Sequence, residues 1–111
     1  MSVSVEAWEA KGRELFGEDK LKWRFVCPAC GHEMSGERVR TDFTEHMEKL
    51  RASDYRIESE CIGRHLPGVG CNWCAYGLFR GPVLVVDGGK EIAVFDFAGK
   101  PFTSKPQSAV R

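Results

Sequence analysis

The five cysteines are the side chains of this sequence best suited to chemistry, and two of them stand in a tight turn motif. Cys27-Pro28-Ala29-Cys30-Gly31 separates two thiols by two residues, a spacing that lets one turn direct both sulfurs toward one metal ion. Pro28 fixes its own φ and Gly31 tolerates a positive φ, so the backbone can curl beneath the metal. The motif therefore predicts that Cys27 and Cys30 are half of a structural zinc site.

Two arrangements are possible for the second half of the predicted zinc site. Cys71 and Cys74 are again separated by two residues, which gives the common pair-plus-pair arrangement of a four-thiolate zinc site. Cys61 competes with Cys74, because a tetrahedral zinc ion needs only four of the five thiols. No glycine follows Cys74, and Trp73 is bulky for a tight metal-binding turn. The residues leave both Cys61 and Cys74 as candidates for the fourth ligand.

Length and charge narrow the classes of function. The chain has 111 residues, and its 16 Lys and Arg residues balance 16 Asp and Glu residues, so no overall charge draws it to nucleic acid or to a membrane. The size predicts one zinc-stabilised domain at residues 1–102, followed by a disordered tail at 103–111. Residues 1–10 lack the apolar run of a secretory signal, and the paired cysteines then predict a reducing, cytoplasmic location.

The elements that must position the thiols can be predicted from the apolar pattern. Ser4 is placed to cap a first helix that ends at Gly17. The alternation at 21–26 predicts a strand that leads directly into the first cysteine pair. Asp42 is placed to begin a second helix at about 42–52.

Three further segments complete the predicted fold. Alternation at 55–62 predicts a strand that ends near Cys61, and a loop rich in Gly and Pro follows it. Two apolar runs around Asp87-Gly88-Gly89-Lys90 predict a hairpin. The fold class is therefore predicted as α+β, with a small antiparallel sheet, a zinc-ribbon-like knuckle and two helices.

A set of short motifs also carries a family resemblance. The motifs are, in order, Cys27-Pro28-Ala29-Cys30-Gly31, Cys61-Ile62-Gly63-Arg64, Gly70-Cys71-Asn72-Trp73 and Gly77-Leu78-Phe79. They resemble a family of small cysteine-motif proteins of uncharacterised function from bacteria and phages, over residues 23–80. In that family the position of Cys74 is commonly small and not cysteine, which implies Cys61 as the fourth ligand. The resemblance implies a zinc-binding, phage-associated protein in the host cytoplasm and supplies no activity.

One alternative to a structural zinc site is a small zinc enzyme. His46-Met47-Glu48 and the Cys71–Cys74 pair are similar to the zinc deaminase signature, in which His and two Cys bind zinc and Glu transfers protons. That arrangement would leave Cys27 and Cys30 without a role. Four thiolates would also close the coordination shell and leave no position for an activated water. The sequence therefore predicts a protein that is not an enzyme.

The sequence also predicts that this is a binding protein and that the loops around the zinc site make most of the contacts with its partner. Arg64, Trp73 and Tyr76 are residue types that anchor interfaces, and loops held by a metal lose little entropy on binding. A macromolecular partner is expected, with a protein favoured over nucleic acid and no membrane contact. A nucleic-acid-binding zinc module is the alternative, with a basic surface made from seven cations. They are Lys20, Lys22, Arg24, Arg38, Arg40, Arg64 and Arg80.

Overall fold

The computed structural model of this chain describes residues 2–76 and 80–99, and within them the predicted α+β class is confirmed. The α-helices are α1 (Val5–Phe16), α2 (Gly36–Asp42) and α3 (Met47–Ala52). The strands are β1 (Ser2–Ser4), β2 (Phe25–Val26), β3 (Glu33–Met34), β4 (Val83–Asp87), β5 (Lys90–Val94) and β6 (Asp96–Phe97). Short 3₁₀-helices span Lys20–Lys22, Thr44–His46 and Ile62–Arg64. The described part thus has three α-helices where the sequence predicted two.

The strands form two three-stranded sheets rather than one antiparallel sheet. In the first sheet β1 pairs in parallel with β4, and β4 pairs antiparallel with β5. In the second sheet β2 lies between β3 and β6, and both pairings are antiparallel. Because only Phe95 separates β5 from β6, the chain passes directly from the first sheet to the strand beside β2. The hairpin is therefore anchored to the strand that precedes Cys27.

Two predicted elements, the first helix and the hairpin, are confirmed. The Ser4 hydroxyl accepts a hydrogen bond from the N–H of Ala7 at 3.1 Å, and Gly17 ends α1 with a φ of 89°. The β4–β5 turn has φ values of 57° at Gly88 and 88° at Gly89, the left-handed conformation that tight hairpin turns need. Both elements are specified by local residues, which explains why the sequence was sufficient to predict them.

Two predicted elements have wrong boundaries. The strand at 21–26 is confined to Phe25–Val26, because Asp19 caps a 3₁₀-helix by accepting the N–H of Leu21 at 3.0 Å. The helix predicted at 42–52 is observed as the 3₁₀-helix Thr44–His46 followed directly by α3. The preceding helix α2 was not predicted: Ser35 caps it by accepting the N–H of Arg38 at 3.1 Å, and Asp42 ends it instead of beginning a helix.

The strand predicted at 55–62 is wrong. The N–H groups of Ser59 and Glu60 both donate to the carbonyl of Arg56, so local turns replace a continuous ladder. A single antiparallel bridge joins Glu60 to Cys74. Contacts with the first sheet hold this turn segment in place, since the hydroxyl of Ser59 donates to the carbonyl of Ala93 at 2.8 Å. The tail predicted at 103–111 lies outside the described residues.

An aromatic cluster beneath the cysteines forms the main core. Trp8 of α1 stacks on Phe25 and Phe97, with ring centroids 6.2 and 5.7 Å apart, and meets Trp23 edge-on at 5.6 Å. Gly12 makes this contact possible, because a Cβ there would lie 2.5 Å from the Trp23 ring. Cys27 and Cys61 belong to the same buried cluster, so the aromatic core supports the thiols from below. No described helix has the length and apolar character needed to cross a membrane.

Candidate metal centre

Cys27 and Cys30 lie in the turn between β2 and β3. The N–H of Cys27 donates to the carbonyl of His32 at 2.9 Å, and the N–H of Gly31 donates to the carbonyl of Cys27 at 2.8 Å. Gly31 has a φ of 79°, a conformation that glycine adopts without steric cost. The turn therefore closes on itself and directs both thiols to one side.

Cys61 and Cys71 lie ten positions apart in the sequence and belong to a second turn. Cys61 precedes the 3₁₀-helix Ile62–Arg64, and the N–H of Cys71 donates to the Cys61 sulfur at 3.2 Å. A Cβ at Gly63 would lie 2.3 Å from the Cys71 carbonyl oxygen, and one at Gly70 would lie 2.6 Å from the Cys61 sulfur. Gly63 therefore permits the close approach of two backbone segments of the turn, and Gly70 permits the close approach of its own backbone to the Cys61 thiol.

These four cysteines converge into a cluster. Their sulfur atoms all lie within 4.8 Å of one another, and the Cys27–Cys71 and Cys30–Cys61 sulfur pairs are each 3.7 Å apart. A tetrahedral ion with metal–sulfur bonds of about 2.3 Å requires sulfur pairs about 3.8 Å apart, whereas a disulfide bond measures about 2.05 Å. The cluster thus has the spacing of a four-thiolate metal site, and all its cysteines are free.

Hydrogen bonds within the cluster favour the thiolate form, which a metal ligand requires, at one cysteine, Cys61. The hydrogen bond with Cys27, followed by those from the backbone N–H groups of Cys71 and Gly63, lowers the pKa of Cys61 to about 4. The same sulfur–sulfur hydrogen bond, together with burial, raises the pKa of Cys27. One negative charge is therefore stabilised within the cluster before any metal binds, and a metal ion would stabilise the other three.

Cys74 lies outside this group of four sulfurs, and the bridge to Glu60 explains why. Residues opposed in an antiparallel bridge project to the same face, and neighbours along a strand project to opposite faces. Cys74 therefore shares the face of Glu60, whereas Cys61 and Trp73 project to the other. Trp73 is half-buried and stacks on Phe95 of the core, with ring centroids 5.8 Å apart. Its role is at least partly structural.

The other predicted ligand candidate, His46, is exposed on a short 3₁₀-helix and does not belong to the cluster. Its neighbour Glu48 is likewise exposed, on α3. The structure therefore does not bring His46, Cys71 and Cys74 together as the deaminase-like arrangement requires.

A polar network beside the cluster was missed by the sequence analysis. Glu60 is 7% exposed, accepts a hydrogen bond from the Tyr76 hydroxyl and lies 2.9 Å from Nε2 of His65. Burial alone would raise the pKa of Glu60, but the hydrogen bonds from Tyr76, the Arg56 N–H and His65 hold it below its ordinary value. No spacing rule relates these residues, because the fold and not a local turn brings them together.

The exposed side of this network carries two of the predicted contact residues. Arg64 donates from Nη1 to the carbonyl of Asn72 at 3.0 Å, and its guanidinium lies 5.9 Å from the centroid of the Tyr76 ring. Tyr76 is 46% exposed. Arg64, on the turn that Cys61 and Cys71 build, is therefore held in a defined position beside the exposed ring of Tyr76.

Fold and site together define a class: a small α+β protein with a candidate metal centre of four thiols. A family model described as VVA0879-like matches residues 4–98, and the chain belongs to this family. The match covers more of the chain than the motifs that first indicated an uncharacterised family, since it includes α1 and the hairpin. No curated protein and no solved structure matches this chain.

Proposed function

We propose that the four-cysteine cluster holds one zinc ion as a closed structural site. The ligands are all thiolates, a set that suits zinc, and their spacing fits a tetrahedral ion. When bound, zinc supplies a cross-link between the turn at Cys27 and Cys30 and the turn at Cys61 and Cys71. The N–H donated by Cys71 to the Cys61 sulfur orients that ligand and balances its charge.

The function that this geometry supports best is non-catalytic binding of a macromolecule. The observation that carries the proposal is that four cysteine sulfurs lie within 4.8 Å of one another. As thiolates on one zinc ion they would complete a tetrahedral shell and leave no position for an activated water. The second of these turns presents Arg64 on the surface, where its contacts with the Asn72 carbonyl and the Tyr76 ring fix its position. Since these residues are already ordered, they lose little entropy when a partner binds.

A protein partner is favoured over a nucleic acid because many of the exposed cations are already neutralised. Four of the seven cations considered for a basic surface form ion pairs. The pairs are Lys20–Glu9, Arg24–Glu33, Arg38–Asp42 and Arg80–Glu91. Phosphate binding would require these pairs to open. A role as a phage accessory protein in the cytoplasm of a host cell is part of this proposal, and its support is the family resemblance alone.

Affinity capture from a host lysate tests the binding surface. We expect Arg64→Glu to reduce capture of the specific partner about tenfold while metal content and thermal unfolding stay unchanged. Arg13→Glu is the matched charge-reversal control, because Arg13 lies on α1 and pairs only weakly with Glu18 at 3.9 Å. Equal capture by both variants would contradict the proposed surface.

The same preparation separates the three classes of function. A protein partner predicts a mild dependence of capture on salt, whereas a nucleic acid predicts a steep loss as salt rises. Zinc-dependent turnover of a nucleoside or nucleic-acid substrate, abolished by Glu48→Ala, would identify an enzyme and overturn the binding proposal.

A further inference from the structure

An apolar depression, here called the helical groove, lies on a different part of the surface from the metal turns. Its floor and walls are Leu21, Val39, Met47, Leu50, Tyr55 and Ile57, and its volume is about 370 Å³. That volume falls within the range of about 300–1,000 Å³ that is typical of ligand pockets. Val39 and Leu50 are buried beneath it, so the groove is built on the second core cluster of the protein.

The helical groove continues into a second apolar depression. The second depression has a volume of about 270 Å³ and lies over Trp8 and Trp23. The two depressions share Leu21, Gly36 and Ile57. Leu21 is 37% exposed at this junction, and its Cδ2 lies close enough to Gly36 that a Cβ there would be 2.8 Å away. Leu21 therefore joins the two depressions into one exposed apolar surface. Contiguous apolar surfaces of this kind mark sites where a partner binds.

Two arginines give the helical groove a cationic end. Arg40 and Arg51 line it, both are exposed, and neither forms an ion pair with any residue that the structure describes. By contrast, Arg24, Arg38 and Arg80 each form an ion pair with an acidic side chain.

Acidic residues do not cancel this cationic end. The charged residues that line the helical groove are Arg40, Arg51 and Asp54, so the formal charge of the lining is +1. Asp19 and Glu58 line the second depression together with Lys20, and Lys20 is already paired with Glu9 at 3.0 Å. Among the described residues that line the two depressions, the cations without an ion pair are therefore Arg40 on α2 and Arg51 on α3.

We propose that the helical groove docks a short segment of a partner protein that combines large apolar side chains with carboxylates. The apolar side chains would cover Leu21 and Met47, which line the groove and are not buried, and the carboxylates would pair with Arg40 and Arg51. A guanidinium without an intramolecular partner can bind a carboxylate in bidentate geometry without first breaking an ion pair. This interface is separate from the surface at Arg64 and Tyr76 and does not depend on it.

Selection from a random peptide library on the metal-loaded, full-length protein tests the proposal. Enriched peptides are expected to combine Leu, Ile or an aromatic residue with Asp or Glu. In fluorescence anisotropy, Arg40→Glu/Arg51→Glu should raise the Kd of an enriched peptide about tenfold, and Leu21→Ser should also weaken binding. Arg13→Glu/Arg80→Glu, which makes the same change in net charge elsewhere, should leave the Kd unchanged. Unaltered metal content and circular dichroism show that each variant is folded.

Several results would overturn the proposal. Enriched peptides without acidic residues, or with affinities that the groove variants leave unchanged, would remove the basis for an acidic partner. A wild-type dimer in light scattering that Leu21→Ser converts to a monomer would assign the groove to a second copy of this chain. Saturable binding of palmitate, lost in Arg40→Glu/Arg51→Glu and without any peptide consensus, would assign it to a fatty acid.

Discussion

The direction of individual thiols decides which cysteines can share a metal ion. Cys27 and Cys30 were predictable, because a turn of two intervening residues specifies its own geometry. The choice between Cys61 and Cys74 was not predictable from spacing, since it depends on which face of the Glu60–Cys74 bridge each residue occupies. The family resemblance implied Cys61, and the structure places the Cys61 sulfur in the cluster.

Replacing each of these two cysteines tests the assignment. Cys61→Ser should lose the metal and fold poorly, because it removes a ligand that is 2% exposed in the core. Cys74→Ser should keep one metal ion per chain and lose only about 1 kcal/mol of unfolding free energy, as a half-buried thiol does when it becomes a hydroxyl. Elemental analysis and thermal unfolding of both variants measure this. Metal loss in Cys74→Ser with retention in Cys61→Ser would restore the pair-plus-pair arrangement.

A second prediction at this scale concerns Gly70, whose φ is 61°. Gly70→Ala would place a Cβ 2.6 Å from the Cys61 sulfur, so we expect metal affinity to fall about tenfold or more as the thiol is displaced. Gly68→Ala is a matched control, because Gly68 also has a positive φ of 87° but open space around its Cβ position. It should cost about 1 kcal/mol in backbone strain and leave metal affinity unchanged in competition with a chelator. Equal affinities for the two variants would contradict a role for Gly70 in approaching the thiol.

At the scale of elements, the correct predictions relied on local signals, whereas the errors came from two local caps that were overlooked, at Asp19 and Ser35, and from tertiary contacts. The cap of α1 at Ser4 and the turn of the hairpin at Gly88 and Gly89 depend on neighbouring residues, and both were predicted. The alternation at 55–62 was misread because its apolar residues face two core clusters through turns rather than through a strand. The strand β1 was missed because its three residues acquire a partner only when β4 lies beside them.

The packing of α1 on the aromatic cluster predicts the sign of the change in unfolding free energy when Gly12 is replaced. Helix propensity alone would make Gly12→Ala stabilising by about 1 kcal/mol. We expect it to destabilise the protein by about 1–3 kcal/mol instead, because the new Cβ would lie 2.5 Å from the Trp23 ring. Urea unfolding measures the change, and Glu14→Ala on the exposed face of α1 should be close to neutral. A more stable Gly12→Ala variant would show that α1 is not held against Trp23.

At the scale of the whole molecule, the four cysteines join parts of the chain that are distant in sequence. The α+β class could be predicted, but the division into two sheets could not, since it depends on the short connection from β5 to β6 through Phe95. The first cysteine turn belongs to the second sheet, and the second turn is attached to the first sheet through the Ser59–Ala93 hydrogen bond. A metal ion at the cluster would therefore link both sheets. Such a link would explain how a chain of 111 residues supports residues 53–76, which form neither an α-helix nor a multi-residue strand.

The central claim is that the four thiols bind one zinc ion, and elemental analysis of freshly purified, reduced protein tests it most directly. We expect one zinc per chain, with cooperative unfolding lost when a chelator removes the metal, because metal binding and folding are coupled in sites of this kind. Folded protein that contains no metal would contradict the claim. Stoichiometric iron in place of zinc would retain the thiolate site but contradict the assignment of the metal.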